Sequence, residues 1–441
     1  MNHWRSSWNA LVFGICAVLV AHGSAAGAGY AVVEHSVRRL GTAYAGGAAA
    51  ADDASTVFYN PAGLTRLPGS QLVAGTHLVL PSARFRNEGS TDLTGLSLSG
   101  GGERNAGSAI PLPNLYFSRQ LSDRSHLGLG LFSPFGLSTQ YDDDWVGRYH
   151  AVKSDLISLN INPALAWAVT DKLSLGAGIN AQYIESELSN AIDFGTIFGS
   201  LGAPGMAPQQ NDGLVTFKGD SWSWGYNFGA LYQFSEKTRG GVAYRSAISH
   251  TLKGDAKFSG VPSLNPTGRF LDTGVRADIR TPDSLSVSLW HSFTGKIAAM
   301  ADITWTNWSK LDELRIRFDN PAETDAVTTF RWEDTLRCSL GAAYMPGAWA
   351  FRAGVAYDES PVSDAAHRTP RIPDNDRIWI AGGLGYQLCD SVSLELGYAH
   401  LFVKDAEIRK NAAGEDRLRG ALVGSYQGKV DIASAEVSWR F

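Results

Sequence analysis

Residues 222–234 read WSWGYNFGALYQF, and their alternation decides the fold. Trp222, Trp224, Tyr226, Phe228, Ala230, Tyr232 and Phe234 fall on one face of an extended strand, opposite Ser223, Gly225, Asn227, Gly229 and Gln233. So aromatic a face needs a solvent other than water. In a soluble sandwich it would need a second sheet of similar length, yet soluble strands usually run about five or six residues. In an outer membrane, lipid covers such a face and aromatic side chains gather at the two interfaces.

The pattern recurs on either side. In LISLNINPALAWAVT (156–170), Ile157, Leu159, Ile161, Leu165, Trp167 and Val169 oppose Ser158, Asn160, Asn162, Ala164 and Ala166. After the turn Thr170–Lys172 the alternation resumes from Leu173 to Tyr183, which makes a hairpin with one apolar face. Short turns are expected at 121–125, 170–172, 235–237, 294–296, 346–348 and 389–391. Longer polar stretches lie near 86–109, 136–155, 189–221, 249–280, 307–333, 358–376 and 404–427. Six turns and seven loops make thirteen connections and therefore fourteen strands, an even number as single-chain bacterial barrels have. The chain ends ASAEVSWRF, with Val437, Trp439 and Phe441 on one face, a closing strand with a terminal aromatic residue. The fold class expected is all-β, a 14-stranded antiparallel transmembrane β-barrel.

Composition narrows the function classes. The 38 Lys+Arg against 43 Asp+Glu form no block of like charge, so no nucleic-acid partner is expected. Trp4-Arg5, the apolar run Leu11–Val20 and the small residues Ser24-Ala25-Ala26 read as a secretory signal peptide over 1–26, its apolar run too short to span a bilayer. Beyond the signal, Cys338 and Cys389 form no disulfide framework, and whether they pair is left open. Past residue 26 no apolar run is long enough for a membrane-spanning helix. The ten His are scattered, and neither GxSxG nor HExxH occurs, so no catalytic site, metal or cofactor is expected.

With the barrel starting near Ser70, residues 27–69 are left over. They are rich in small side chains, as in GTAYAGGAAAADDAS (41–55), and Asn60-Pro61 supplies a chain reversal. The segment has no lipid-facing pattern, and a fourteen-stranded lumen is wide enough to need a plug. Here the sequence resembles the FadL/TodX family of outer-membrane transporters for long-chain fatty acids and aromatic hydrocarbons. The resemblance is carried by GTAYAGGAAAADDASTVFYNPAGL (41–64), with Phe58 and the triplet Asn60, Pro61 and Ala62, and by FSPFGLSTQYDDDWVGRYHAVKSDLISLNINPALAW (132–167). It implies an N-terminal hatch over 27–69 inside a barrel over 70–441, a third strand kinked inward, and sideways exit of a hydrophobic ligand into outer-membrane lipid. A monomer in the outer membrane of a Gram-negative-type bacterium is implied as well.

Candidate residues follow. Pro134 and Gly136 interrupt the third strand, which runs from His126 to about Leu137; they either kink it inward or end it. In the third long loop Ile192, Phe194, Ile197, Phe198 and Leu201 are spaced for a short amphipathic helix, and the next loop offers Phe258, Val261, Leu264 and Phe270. The resemblance implies a ligand groove there; a static cap over the barrel mouth reads the same in sequence. A fatty acid carboxylate needs a cation once it leaves water, and Arg148, His150 and Lys153 are candidates. Passive transport of long-chain fatty acids is the reading that results. An aromatic hydrocarbon channel is the alternative, with a general porin or an outer-membrane phospholipase less well matched.

Overall fold

The structure is a computed structural model describing residues 28–263 and 265–441. The expected signal peptide, Gly27 and Leu264 lie outside the described residues. Fourteen meandering antiparallel strands form the wall. They are β1 (Ser70–Asn87), β2 (Ile110–Gln120), β3 (Ser125–Phe132 and Gly136–Gln140), β4 (Lys153–Ala168), β5 (Leu173–Asp193), β6 (Asp212–Ser235) and β7 (Thr238–Arg245 and Ile248–Ser259). There follow β8 (Thr273–Thr281 and Ser284–Ser292), β9 (Ile297–Thr306 and Glu313–Phe318), β10 (Ala326–Thr329 and Thr335–Tyr344), β11 (Trp349–Asp358), β12 (Arg377–Cys389), β13 (Val392–Val403 and Ala406–Lys410) and β14 (Leu422–Arg440). β1 pairs with β14 from Gln71↔Arg440 to Asn87↔Gly424, and Ser70 and Phe441 exchange backbone hydrogen bonds of 2.9 Å, so the ladder closes on the last residue. Closure removes the sheet edge that lipid could not hydrogen-bond. Among the described residues no helix is long and apolar enough to cross a membrane.

The alternation that set the fold is the division between outside and lumen. Trp222, Trp224, Tyr226, Phe228, Tyr232 and Phe234 are exposed on the outer wall, whereas Asn160, Asn162, Asn180 and Asn227 turn inward and are buried. All six short connections and all seven long ones fall where the turns were expected. The long connections are shorter than expected, because strands run on past the membrane: β6 begins at Asp212, not 222, and β5 continues to Asp193. Above the lipid both faces meet water or loops, so the two-residue hydrophobic period disappears while the ladder continues.

Residues 28–69 fill the lumen with four-residue helices, α1 (Val37–Leu40), α2 (Gly47–Ala50) and α3 (Thr56–Tyr59), and a 3-10 turn Pro61–Arg66. The helices stay short because the chain reverses between them, with Ala43, Tyr44 and Ala51 at positive φ. Small residues let this compact segment touch the wall all round. A Cβ on Gly354 of β11 would stand 2.1 Å from the Thr42 carbonyl carbon, and one on Gly241 of β7 would stand 1.8 Å from the Ala48 oxygen. Polar ties complete the seating: Arg38 pairs with Glu395 of β13 at 2.8 Å, Val37 N–H donates to Glu436 of β14 at 2.9 Å, and Arg337 of β10 donates to the Ala43 carbonyl at 2.8 Å.

Candidate functional site

The wall has an irregular seam between β2 and β3. Up to Leu115↔Leu131 the two strands are paired; beyond it β3 pairs only with β4, and no ladder joins Ile110–Asn114 to β3 among the described residues. The β3–β4 register changes from Phe132↔Asn160 to Gly136↔Ile157, so three residues, Ser133 to Phe135, oppose two. That is a bulge of one residue, centred on Pro134. The Ser158 hydroxyl donates to the Phe135 carbonyl at 2.6 Å and accepts from the Phe135 N–H at 3.0 Å. The other edge of the bulge bonds to the N-terminal segment: Val32 N–H donates to the Pro134 carbonyl and Gly136 N–H to the Tyr30 carbonyl, both at 2.9 Å. β3 thus continues beyond Pro134, displaced by one residue against β4. Gly136 opens its second half.

Tyr30 is held in an aromatic cluster. Its ring lies 4.8 Å from Trp308 and 5.7 Å from Phe135, and Trp332 packs alongside. Trp308 and Trp332 sit where β9 and β10 are interrupted, so two further irregularities of the wall serve the same cluster. Behind the seam lies a lumen cavity of about 140 Å³, lined by Val32, Val33, Phe58, Phe135, Arg245 and Arg337 among others. Arg245 is half-buried and donates to the Phe58 carbonyl at 3.0 Å and to Asn180, with its guanidinium 4.6 Å from the Phe58 ring centre. Among the described residues no carboxylate lies within ion-pair distance of it. Sequence reading missed Arg245, because its sole signal was a cation on the lumen face of an otherwise ordinary strand.

The triplet Asn60-Pro61-Ala62 is a fastening point. Asn60 is fully buried; its amide donates to Ala48 O at 2.6 Å and to Ala230 O of β6 at 3.0 Å, and its Oδ1 accepts from Ala62 N–H at 3.0 Å. The last bond caps the 3-10 turn, in which Pro61 takes the first position, where no N–H is missed. Gly229 of β6 makes room, since a Cβ there would stand 1.9 Å from Asn60 Oδ1.

A larger cavity of about 420 Å³ opens among the outer loops. Its apolar side is Leu188, Val215, Phe217, Phe258, Ile316 and Phe318; Arg269, Arg371, Arg417 and Arg419 also line it. The expected short helix is present as α4 (Phe194–Ser200). Phe194, Phe198 and Phe270 are buried against one another with Phe258 packed on them, while Ile197, Phe258 and Phe270 also face the cavity. The cluster is therefore a packed cap with one side turned to the cavity, and Leu201 is exposed outside it. Arg148, His150 and Lys153 all have protein partners: Asp212 at 2.7 Å, the Gly420 carbonyl at 3.2 Å, and Asp155 and Glu187 at 3.0 and 2.8 Å. Burial, with the Arg419 and Lys410 charges nearby, holds the His150 pKa well below its ordinary value. Cys338 and Cys389 are both free, and among the described residues no three His, Cys, Asp or Glu side chains are grouped to hold a metal ion.

Comparison with known proteins agrees with this architecture. A family profile described as "Outer membrane protein transport protein (OMPP1/FadL/TodX)" matches residues 18–441. Outer membrane protein P1 of Haemophilus influenzae is 30% identical, over 91% of this chain and 92% of its own. A long-chain fatty acid transport protein of Escherichia coli O6:H1 is 30% identical, over 85% of this chain and 86% of its own. The crystal structure of a Pseudomonas aeruginosa FadL homologue superposes with a TM-score of 0.85 at 26% identity, covering 94% of this chain and all of that one.

Proposed function

The chain belongs to the OMPP1/FadL/TodX family of outer membrane proteins that transport hydrophobic compounds, and on that premise we propose that its ligand is a long-chain fatty acid. The observation that carries this choice is Arg245, a lumen cation with no carboxylate within ion-pair distance among the described residues, in a cavity whose apolar wall includes Val32, Val33, Phe58 and Phe135 and whose polar wall includes Asp302, Thr304 and Arg337. An aromatic hydrocarbon offers such a guanidinium only its ring face, which Phe58 already supplies, and no hydrogen-bond acceptor. A carboxylate does, through charge-assisted hydrogen bonds, while the apolar wall takes the alkyl chain.

The path proposed begins at the outer cavity, whose apolar side receives the chain and whose Arg371 and Arg417 attract the head group, Arg269 and Arg419 being paired with Glu323 and Asp416. The ligand then enters the lumen cavity, and the N-terminal segment acts as a hatch. Displacing Tyr30 and Val32 from Pro134 and Gly136 opens the way to the β2–β3 seam, and the ligand leaves sideways into the membrane. No catalytic step enters this account. Oleate titrated into the purified barrel in detergent tests it. The wild type is expected to bind, and Arg245→Ala to bind about 10- to 100-fold more weakly, as one or two charge-assisted hydrogen bonds require. Equal affinity in the two proteins removes the head-group assignment.

A further inference from the structure

The β2 side of the seam carries a feature that the bulge in β3 does not explain. Ile110-Pro111-Leu112-Pro113-Asn114 places two prolines in the part of β2 that has lost its β3 partner. Their orientation follows from the ladder. Gln120 N–H donates to Gly69 O on the β1 side, whereas Leu121 N–H donates to Ser125 O on the β3 side. Even-numbered residues of β2 therefore direct their backbone groups to β1 and odd-numbered ones to β3. Ile110, Leu112 and Asn114 thus complete the pairing with β1, and positions 111 and 113 face the seam. At both, a ring methylene stands where an N–H would be.

Extending the register Leu115↔Leu131 upward puts Pro113 opposite Ser133 and Pro111 opposite Phe135. A straight β3 would meet two positions that cannot donate. In the bulged strand the edge facing the seam instead finds the Val32 N–H and the Tyr30 carbonyl. In their place β2 offers two carbonyls and no N–H, so the trade loses the donor that Val32 supplies and the exchange runs against closure. The rim of β2 also leaves no N–H pointing into a gap bordered by lipid, where an unsatisfied donor is costly.

We propose that Pro111 and Pro113 are positioning residues that keep the β2–β3 seam from zipping shut and give the exit an edge without N–H donors. The bulge at Pro134 turns β3 away, and the prolines of β2 stop it from returning. This rests on sideways exit as proposed above. The test is the double variant Pro111→Val, Pro113→Val, which restores both donors with strand-favouring side chains. Labelled oleate uptake is measured in cells lacking their own transporter of this kind, and amide exchange over 129–140 in the purified barrel. Expected are a fall in uptake of about tenfold or more, from two recovered ladder bonds, and slower exchange at Ser133 and Phe135. Folded barrel is checked by its heat-modifiable band, and the two single variants carry the test if the double one does not insert. Unchanged uptake and exchange in a folded variant overturns the inference while the transport reading stands. A wild-type chain that takes up no oleate overturns the transport reading and this inference with it.

Discussion

Replacing Asn60 by Ala removes three hydrogen bonds at once: two donated to the carbonyls of Ala48 and Ala230 and one accepted from Ala62 N–H. All three partners are left without this side chain in a place closed to water, since Asn60 has no exposed surface. At roughly 1–1.5 kcal/mol per bond the seating of residues 47–63 weakens by about 3–4 kcal/mol. Amide exchange in that stretch should then rise roughly 100- to 1,000-fold. The barrel ladder uses no atom of the Asn60 side chain, so insertion and the heat-modifiable band should not change. Asn60→Asp separates the two functions of the residue. It keeps an acceptor for Ala62 N–H but sets a carboxylate against two carbonyl oxygens, so it should loosen the segment at least as much as Ala does. Exchange indistinguishable from wild type in both variants would refute the idea that this side chain fastens the segment to β6.

Gly354→Val should drive the segment off β11, because the new Cβ would lie 2.1 Å from the Thr42 carbonyl carbon; Gly295→Ala, in a turn with nothing within 4 Å, should be neutral. The readout is protease sensitivity of residues 28–69 in the inserted barrel, and equal sensitivity in the two variants would contradict close packing. Acidification should loosen the contact of His150 with the loop at 414–420. Its native pKa is held below the unfolded value, so the native state binds fewer protons; the contribution is whole above about pH 6.5 and falls as the pH drops below it. Exchange at 148–152 measured between pH 7.5 and 5 checks this. His150→Asn should flatten the dependence.

The sequence was most legible where one physical constraint acts on every second residue. Trp222 to Phe234 could be read because lipid lies on one side and a wet lumen on the other, and the turns stood out by their brevity. The upper halves of β5 and β6 were not legible, since neither of their faces meets lipid and the ladder leaves no mark in side-chain chemistry. Pro134 was visible as an interruption, but its partners Tyr30 and Val32 lie about a hundred residues earlier, and only the folded chain brings them to it. Arg148, His150 and Lys153 stand out in sequence as cations near the region expected to contact the hatch, and the fold gives each an internal partner. Arg245 was the opposite case, a residue made notable by what surrounds it. Nothing in the sequence distinguishes Gly229, Gly241 and Gly354 from other strand glycines; in the fold they are the negative of the segment packed inside.

Uptake of labelled oleate, with toluene in parallel, by cells that lack such a transporter and express either the wild type or Arg245→Ala separates carboxylate binding at Arg245 from passage of any oily solute. Wild-type cells are expected to take up oleate, and the variant, inserted to the same level, to lose about 10- to 100-fold of that uptake with toluene entry unchanged. Oleate uptake unaffected by the substitution, or toluene entry with no oleate uptake in the wild type, would contradict the fatty acid reading.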